Sequence, residues 1–101
     1  MAELDRTIHE PVRLRIVSVL SGVDRADFNF MLSTLALSRG NLASHMEKLE
    51  GAGYVEVLKA FSGKIPRTEY RLTTAGRKAL GDYWASLDAI RAQSRVRQRS
   101  R

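Results

Sequence analysis

Asn41, Ser44, His45 and Lys48 stand close together in one short segment, SRGNLASHMEKLEGAGYV (residues 38–55), and each ends in a hydrogen-bonding or charged group. Three kinds of chemistry are open to such a set: nucleophilic catalysis, metal binding, and recognition through hydrogen bonds. Ser44 and His45 are neighbours in sequence, so on a helix their side chains diverge by about 100° and do not form a nucleophile–base pair. The chain also lacks a nucleophile elbow, a phosphate loop and paired catalytic carboxylates, and no enzymatic activity is expected. With 2 histidines, His9 and His45, and no cysteine, there are too few donors for a zinc centre. No metal and no other cofactor are expected, which leaves recognition.

The elements that must position these residues follow from periodicity. Leu42, Met46 and Leu49 recur at the i, i+4, i+7 spacing of a helix seated on a core, which turns Arg39, Asn41, Ser44, His45 and Lys48 outward. Ser38 suits the N-cap of this helix, and Gly53 suits the left-handed residue that ends it near Ala52. Upstream, Leu4 and Ile8 share one face of a short helical turn, and Pro11 opens a helix whose stripe is Val12, Ile16, Val19 and Leu20, widened by Leu14 and Val17. Gly22 ends it. Asp27 can cap a second, short helix carrying Phe28, Met31, Leu32 and Leu35, with a brief strand around 26–29 as the alternative for its start. Only Ala36, Leu37 and Ser38 separate that helix from the next, the layout of a helix-turn-helix.

After Gly53 the period changes. Tyr54, Val55, Val57, Leu58 and Phe61 read as a strand, SGKIPRT as a turn, and TEYRL as a second strand, which together make a hairpin. Thr73 or Thr74 then caps a last helix from about Ala75, on which Leu80, Tyr83, Trp84, Leu87 and Ile90 lie three or four apart. The fold class is therefore mainly α with a small β-hairpin, in the order α-α-α-β-β-α.

The chain of 101 residues, 44% hydrophobic and 28% charged, is long enough for one domain with a core. That domain is expected over residues 1–90. The absence of cysteine fits a reducing, cytoplasmic setting. The early apolar residues are interrupted by Asp5, Arg6, His9 and Glu10, so neither a signal peptide nor a membrane span is expected.

The net charge of +6 is unevenly placed: residues 91–101, RAQSRVRQRSR, hold five arginines and no acid. Residues 1–90 keep 12 basic side chains against 11 acidic ones, a net of +1. The segment 91–101 is expected to be a disordered tail. A second cluster, Lys59, Lys64, Arg67, Arg71, Arg77 and Lys78 against the single acid Glu69, coincides with the hairpin and the start of the last helix. Two basic clusters favour a polyanionic partner. The apolar stripe of the last helix and the uncovered Leu4 and Ile8 favour a second copy as cover, so a homodimer is expected through Leu4, Ile8, Tyr83, Trp84, Leu87 and Ile90.

The element order is that of a winged helix-turn-helix domain, and the motifs sharpen it. IHEPVRLRIVSVL, LSRGNLASHMEKLEGAGYVEV and RTEYRLTTAGRKAL resemble successive blocks of stand-alone winged-helix transcriptional regulators of the MarR and ArsR type, over roughly residues 8–84. The resemblance implies a sequence-specific regulator of double-stranded DNA, with helix 38–52 in the major groove and wing 62–67 on the backbone or in the minor groove. Ser38, Arg39, Gly40 and Asn41 would then meet a phosphate at the helix N-terminus. Asn41, Ser44 and His45 would reach base edges or phosphates, and Lys48, Lys64 and Arg67 backbone oxygens. The metal sites of ArsR-type sensors have no counterpart here, because the second helix reads FNFMLSTL and the last reads GDYWASLDAIRAQ. A protein-interaction module, or an RNA binder acting through the basic tail, are the competing readings.

Overall fold

Glu10 starts the first regular element. Its carboxylate accepts a 2.7 Å bond from the Arg13 N–H, and with Pro11 in the first turn it opens α1, Pro11–Ser21. A two-residue strand β1, Ala26–Asp27, follows, and the Asp27 carboxylate caps α2, Phe28–Leu35, through the Phe30 N–H at 2.7 Å. Of the two expectations for this stretch both hold, a strand first and then a helix. Ala36 closes α2 in the left-handed region at φ 54°, and the Ser38 hydroxyl accepts from the Asn41 N–H at 3.2 Å to open α3, Arg39–Gly51. α3 ends as its sequence implies: Gly53 takes φ +80° and the Tyr54 N–H reaches back to the Leu49 carbonyl. The computed structural model describes residues 4–99.

Strands β2 (Val55–Ser62) and β3 (Ile65–Leu72) pair antiparallel from Val55 opposite Leu72 to Ser62 opposite Ile65. β1 adds to the other edge of β3 through Ala26 and Tyr70, giving the order β1-β3-β2. The hairpin loop is tighter than SGKIPRT suggests. Only Gly63 and Lys64 lie outside the ladder, and the positive φ, +64°, falls on Gly63, as a type II′ turn requires. Ser62, Ile65, Pro66 and Arg67 therefore belong to the strands, because such a turn carries the strand twist without the extra residues of a longer loop.

The Thr73 hydroxyl accepts from the Gly76 N–H at 3.0 Å and so caps α4, Thr74–Arg99. Its third residue, Gly76, sits so close to β2 that a Cβ there would lie 2.3 Å from the Tyr54 carbonyl oxygen. The core is one cluster in which Ile16, Val17, Leu20, Met31, Leu42 and Leu49 are fully buried and Val55, Tyr70, Leu72 and Leu80 nearly so. Cations tie helix ends together: the Arg15 guanidinium donates to the Leu35 carbonyl at 3.0 Å and that of Arg77 to the Ser21 carbonyl at 3.2 Å.

Two expectations change at the termini. Ile8 is fully buried and Tyr83 is 5% exposed, so the chain itself covers both. Asp5 makes this possible, since its carboxylate accepts from the Thr7 and Ile8 N–H groups and from the Tyr54 hydroxyl, folding the N-terminal turn back onto the body. The Tyr83 hydroxyl lies 2.9 Å from His9 Nδ1 on the same turn. Second, residues 91–99 continue α4 rather than forming a disordered tail. No proline interrupts the run and its Arg, Ala and Gln residues are good helix formers, with Arg91 paired to Asp88 at 2.7 Å. Residues 100 and 101, also expected in the tail, lie outside the described residues. Among the described residues no helix is long and apolar enough to cross a membrane.

Candidate nucleic-acid interface

At 3.6 residues per turn, the buried stripe Leu42, Met46 and Leu49 leaves Gly40, Ser44 and Glu47 on the opposite side of α3, with Arg39, Asn41 and Lys48 flanking them. All six are exposed. The helix thus presents amide, hydroxyl and charged tips on a continuous solvent face, beginning at an N-terminus whose free N–H groups favour an anion. Glu47 and Glu50 on this face were not anticipated. They make it mixed in charge and leave the N-terminal half the more attractive to phosphate.

Arg39 is not free in solvent. Its guanidinium lies 5.7 Å from the centroid of the Phe28 ring and donates to Asn29 Oδ1 at 3.5 Å, both on the first turn of α2. The cation is thereby held at the joint between the two helices rather than pointing straight out from α3.

His45 turns sideways, contrary to its expected outward position. Its angular place beside Leu42 and Leu49 brings it against α1, where Nδ1 lies 3.1 Å from Arg13 Nη1 and 3.9 Å from Glu10 Oε1. The side chain is 17% exposed. Arg13 in turn donates through Nε to the Thr7 carbonyl at 2.7 Å, so it links the N-terminal turn, α1 and α3. Burial works against ionisation of Glu10, but the Arg13 N–H, His45 and the Arg13 charge outweigh it and hold its carboxyl below the ordinary value. The Tyr54 hydroxyl is pushed up to about 12 by its bond to Asp5, with burial adding to the shift.

The basic cluster of residues 59–78 resolves into separate tasks. Lys59 donates to Thr68 Oγ1 at 3.2 Å, Arg71 pairs with Glu56 at 2.7 Å, Lys78 with Asp82 at 2.8 Å, and Arg77 binds the Ser21 carbonyl. Arg67, expected on a DNA phosphate, places Nη2 3.4 Å from Asp27 and 3.2 Å from Glu69, which Arg25 also approaches at 3.4 Å. The Glu69 carboxylate is nearly buried where β1 meets β3, and two arginines compensate it. Lys64 is different. It stands at the wing tip, exposed, and with Lys48 it has no side-chain partner among the described residues.

Between the wing and the joint of α2 with α3 runs an open cleft of about 440 Å³ lined by Phe28, Asn29 and Arg39 and by Ser62, Ile65 and Pro66, together with Asp27, Arg67 and Thr68. One wall is the first turn of α2 with Arg39 of α3, and the other is the end of the hairpin, where Ile65–Thr68 of β3 run beyond the pairing with β1. Two contributors here were not singled out from the sequence, Phe28 and Asn29, which belong to a segment read as a short helix or the end of a brief strand. Outside the cleft, Phe61, read as a strand residue, is 71% exposed on the wing. The missed signal for Phe61 was distance along the strand, since the alternation outlasts the body that can bury it.

A protein of Methanocaldococcus jannaschii, described as uncharacterised, is 36% identical over 72 residues, covering 71% of this chain and 78% of its own. Among solved structures, the transcriptional regulator homologue from Pyrococcus horikoshii OT3 aligns with a TM-score of 0.82 at 31% identity, covering 88% of each chain. A protein of Enterococcus faecalis V583, described as of the MarR family of transcriptional regulators, aligns with a TM-score of 0.70 at 26% identity over 91% of this chain and 84% of that one. The family model for the winged helix DNA-binding domain matches residues 12–90, and the chain belongs to that family.

Proposed function

We propose that the chain is a sequence-specific regulator of transcription that reads double-stranded DNA with α3 in the major groove and the β2–β3 wing beside it. The observation that carries this reading is the solvent face of α3, where Ser44 stands opposite the buried stripe with Asn41 flanking it, next to a wing tipped by Lys64, which has no side-chain partner among the described residues. Asn41 and Ser44 supply the hydrogen bonds that discriminate base edges, and Lys48 and Lys64 neutralise phosphates. Arg39 binds backbone from its place over Phe28. His45 and Arg67 act from behind, His45 by seating α3 on α1 and Arg67 by bracing the wing on β1.

The regulator acts as a homodimer. What supports this is the part of α4 that leaves the body: Trp84 and Ile90 are each 44% exposed, with the half-buried Leu87 between them. Pairing there would set two copies of α3 on half-sites about 34–36 Å apart.

Selection of bound duplexes from a random pool tests the reading. The wild-type chain is expected to enrich one sequence, Asn41→Ala to change the preferred bases, and Lys64→Ala to weaken binding to all duplexes while lowering the salt slope by about 1. Failure of the wild-type chain to enrich any sequence would remove specific DNA reading from this protein.

A further inference from the structure

Glu47 is the one long side chain at the centre of α3's outward face, and the function proposed above gives it no task. Counted around the helix from Leu42, Gly40, Ser44 and Glu47 all lie within about 40° of the opposite direction, and all are exposed. The Glu47 carboxylate has no hydrogen-bond or ion-pair partner among the described residues. Lys59, which lines the same groove between α3 and the sheet, donates instead to Thr68 Oγ1 at 3.2 Å. Four residues back stands Ala43 and four on Gly51, so no ion pair forms along the helix, and Glu50 three residues on has the same charge. A carboxylate toward the C-terminal end of a helix also meets the negative end of its dipole. Neither packing nor helix electrostatics accounts for a glutamate here.

We propose that Glu47 is a specificity-determining residue that reads the N4 amino group of a cytosine in the major groove. This rests on the DNA-reading function proposed above and specifies the sequence it reads. An ionised carboxylate is an acceptor only. In the major groove guanine shows the acceptors N7 and O6 and thymine the acceptor O4, so both repel it. Adenine offers its N6 donor but sets the N7 acceptor beside it. Cytosine offers an amino group with no acceptor of its own alongside.

Charge explains why such a residue selects rather than merely binds. Lys48 and Lys64 gain on any duplex, because every sequence carries phosphates, whereas Glu47 is repelled by that same field on every sequence. The repulsion is offset only where an amino group meets the carboxylate, so Glu47 acts mainly by weakening binding to wrong sites. Place supports the assignment. Glu47 lies in the third turn of α3, about 12 Å along the axis from Arg39. A recognition helix brings its N-terminal residues nearest the bases, so this far along only a long side chain still reaches them. Glu50 is turned about 60° further toward the sheet. There its charge adds to burial in raising the Tyr70 hydroxyl.

The test uses the full chain and the duplex enriched by selection, with each base pair replaced in turn by the other three. Glu47→Ala is expected to lose the preference at a single C·G pair, where replacement costs wild type about tenfold in affinity. The same variant should bind a duplex of unselected sequence about threefold more tightly than wild type, because a repelled charge is gone. Glu47→Gln is expected to move the preference at that pair from C·G to A·T, since an amide can bond adenine N6 and N7 together. Replacing the cytosine by an analogue without the N4 amino group should cost wild type about tenfold and Glu47→Ala nothing. The assignment is overturned if either variant keeps every base preference of wild type, or if the pair affected by Glu47→Ala is A·T. It is equally overturned if wild type binds the amino-free duplex undiminished, or if Glu47→Ala weakens binding to all duplexes and lowers the unfolding midpoint. A wild-type chain that enriches no duplex takes down the DNA reading itself, a separate outcome from any of these.

Discussion

Gly76 and Gly40 occupy the first turns of α4 and α3, and in each helix a glycine costs backbone entropy that alanine would spare. The surroundings differ completely. At Gly76 a Cβ would lie 2.3 Å from the Tyr54 carbonyl oxygen and 2.7 Å from Leu72 Cδ1, so the chain closes on this position with its own backbone. At Gly40 nothing stands within 4 Å of the place a Cβ would take. One glycine is thus explained by the fold and the other is not. The start of α4 is an internal joint, whereas the start of α3 opens onto solvent, where the proposed function places a DNA phosphate. Arg39 beside Gly40 and the cleft toward the wing belong to that same outward-looking region.

Gly76→Ala tests the closed side and carries the largest expected effect. The added methyl has backbone on one side of it, which cannot rotate away, so stability should fall by about 3 kcal/mol in urea unfolding. An unchanged midpoint would mean that α4 can shift on β2, and the contrast between the two glycines would disappear. Gly40→Ala comes next and should separate the two properties. Stability is expected to rise by about 0.5–1 kcal/mol, while affinity for the selected duplex falls about tenfold, or about 1.4 kcal/mol. A stability gain with undiminished binding would show the glycine to be merely tolerated.

The smallest test lies where α1 meets α3, where Glu10 both caps α1 and faces His45. Glu10→Ala should cost about 1 kcal/mol near neutral pH. The carboxyl of Glu10 is held below its ordinary value in the folded chain. The charged form therefore stabilises the fold at pH values above the ordinary carboxylate range, and this contribution is lost as pH falls through the depressed folded value. The difference between wild type and variant, followed by thermal unfolding, should shrink on acidification. The effect of Gly40→Ala should not, since no titrating group is involved.

Much of α3 was legible because its determinants are local. Ser38 caps it through Asn41 three residues on, and Leu42, Met46 and Leu49 recur on one face whatever they meet. Asp27 and Gly53 act at equally short range. Side chains near the edge of the buried stripe were not legible in this way. His45 differs from the outward Asn41 only by about 40° around the helix, and whether that angle faces solvent or α1 depends on where α1 crosses. Charge clusters misled for a related reason. Arg67, Arg71 and Arg77 look alike in sequence, but Asp27, Glu56 and the Ser21 carbonyl brought from elsewhere engage them and Lys78 pairs with Asp82 one turn on, leaving Lys64 exposed at the tip.

The termini show the same division. Leu4 and Ile8 looked uncovered because apolar spacing says which side is to be buried and nothing about by what. Asp5 folds that turn back, and Ile8 disappears into the core while Trp84 and Ile90 stay outside. Periodicity, capping residues and turn glycines determined the elements, their order and the family, since each depends on residues within a turn or two of one another. Which polar side chains are left exposed and unengaged was decided only when α1, the wing and α4 came together, because a partner from a distant part of the chain satisfies a charge or covers a face without leaving any trace in the local sequence.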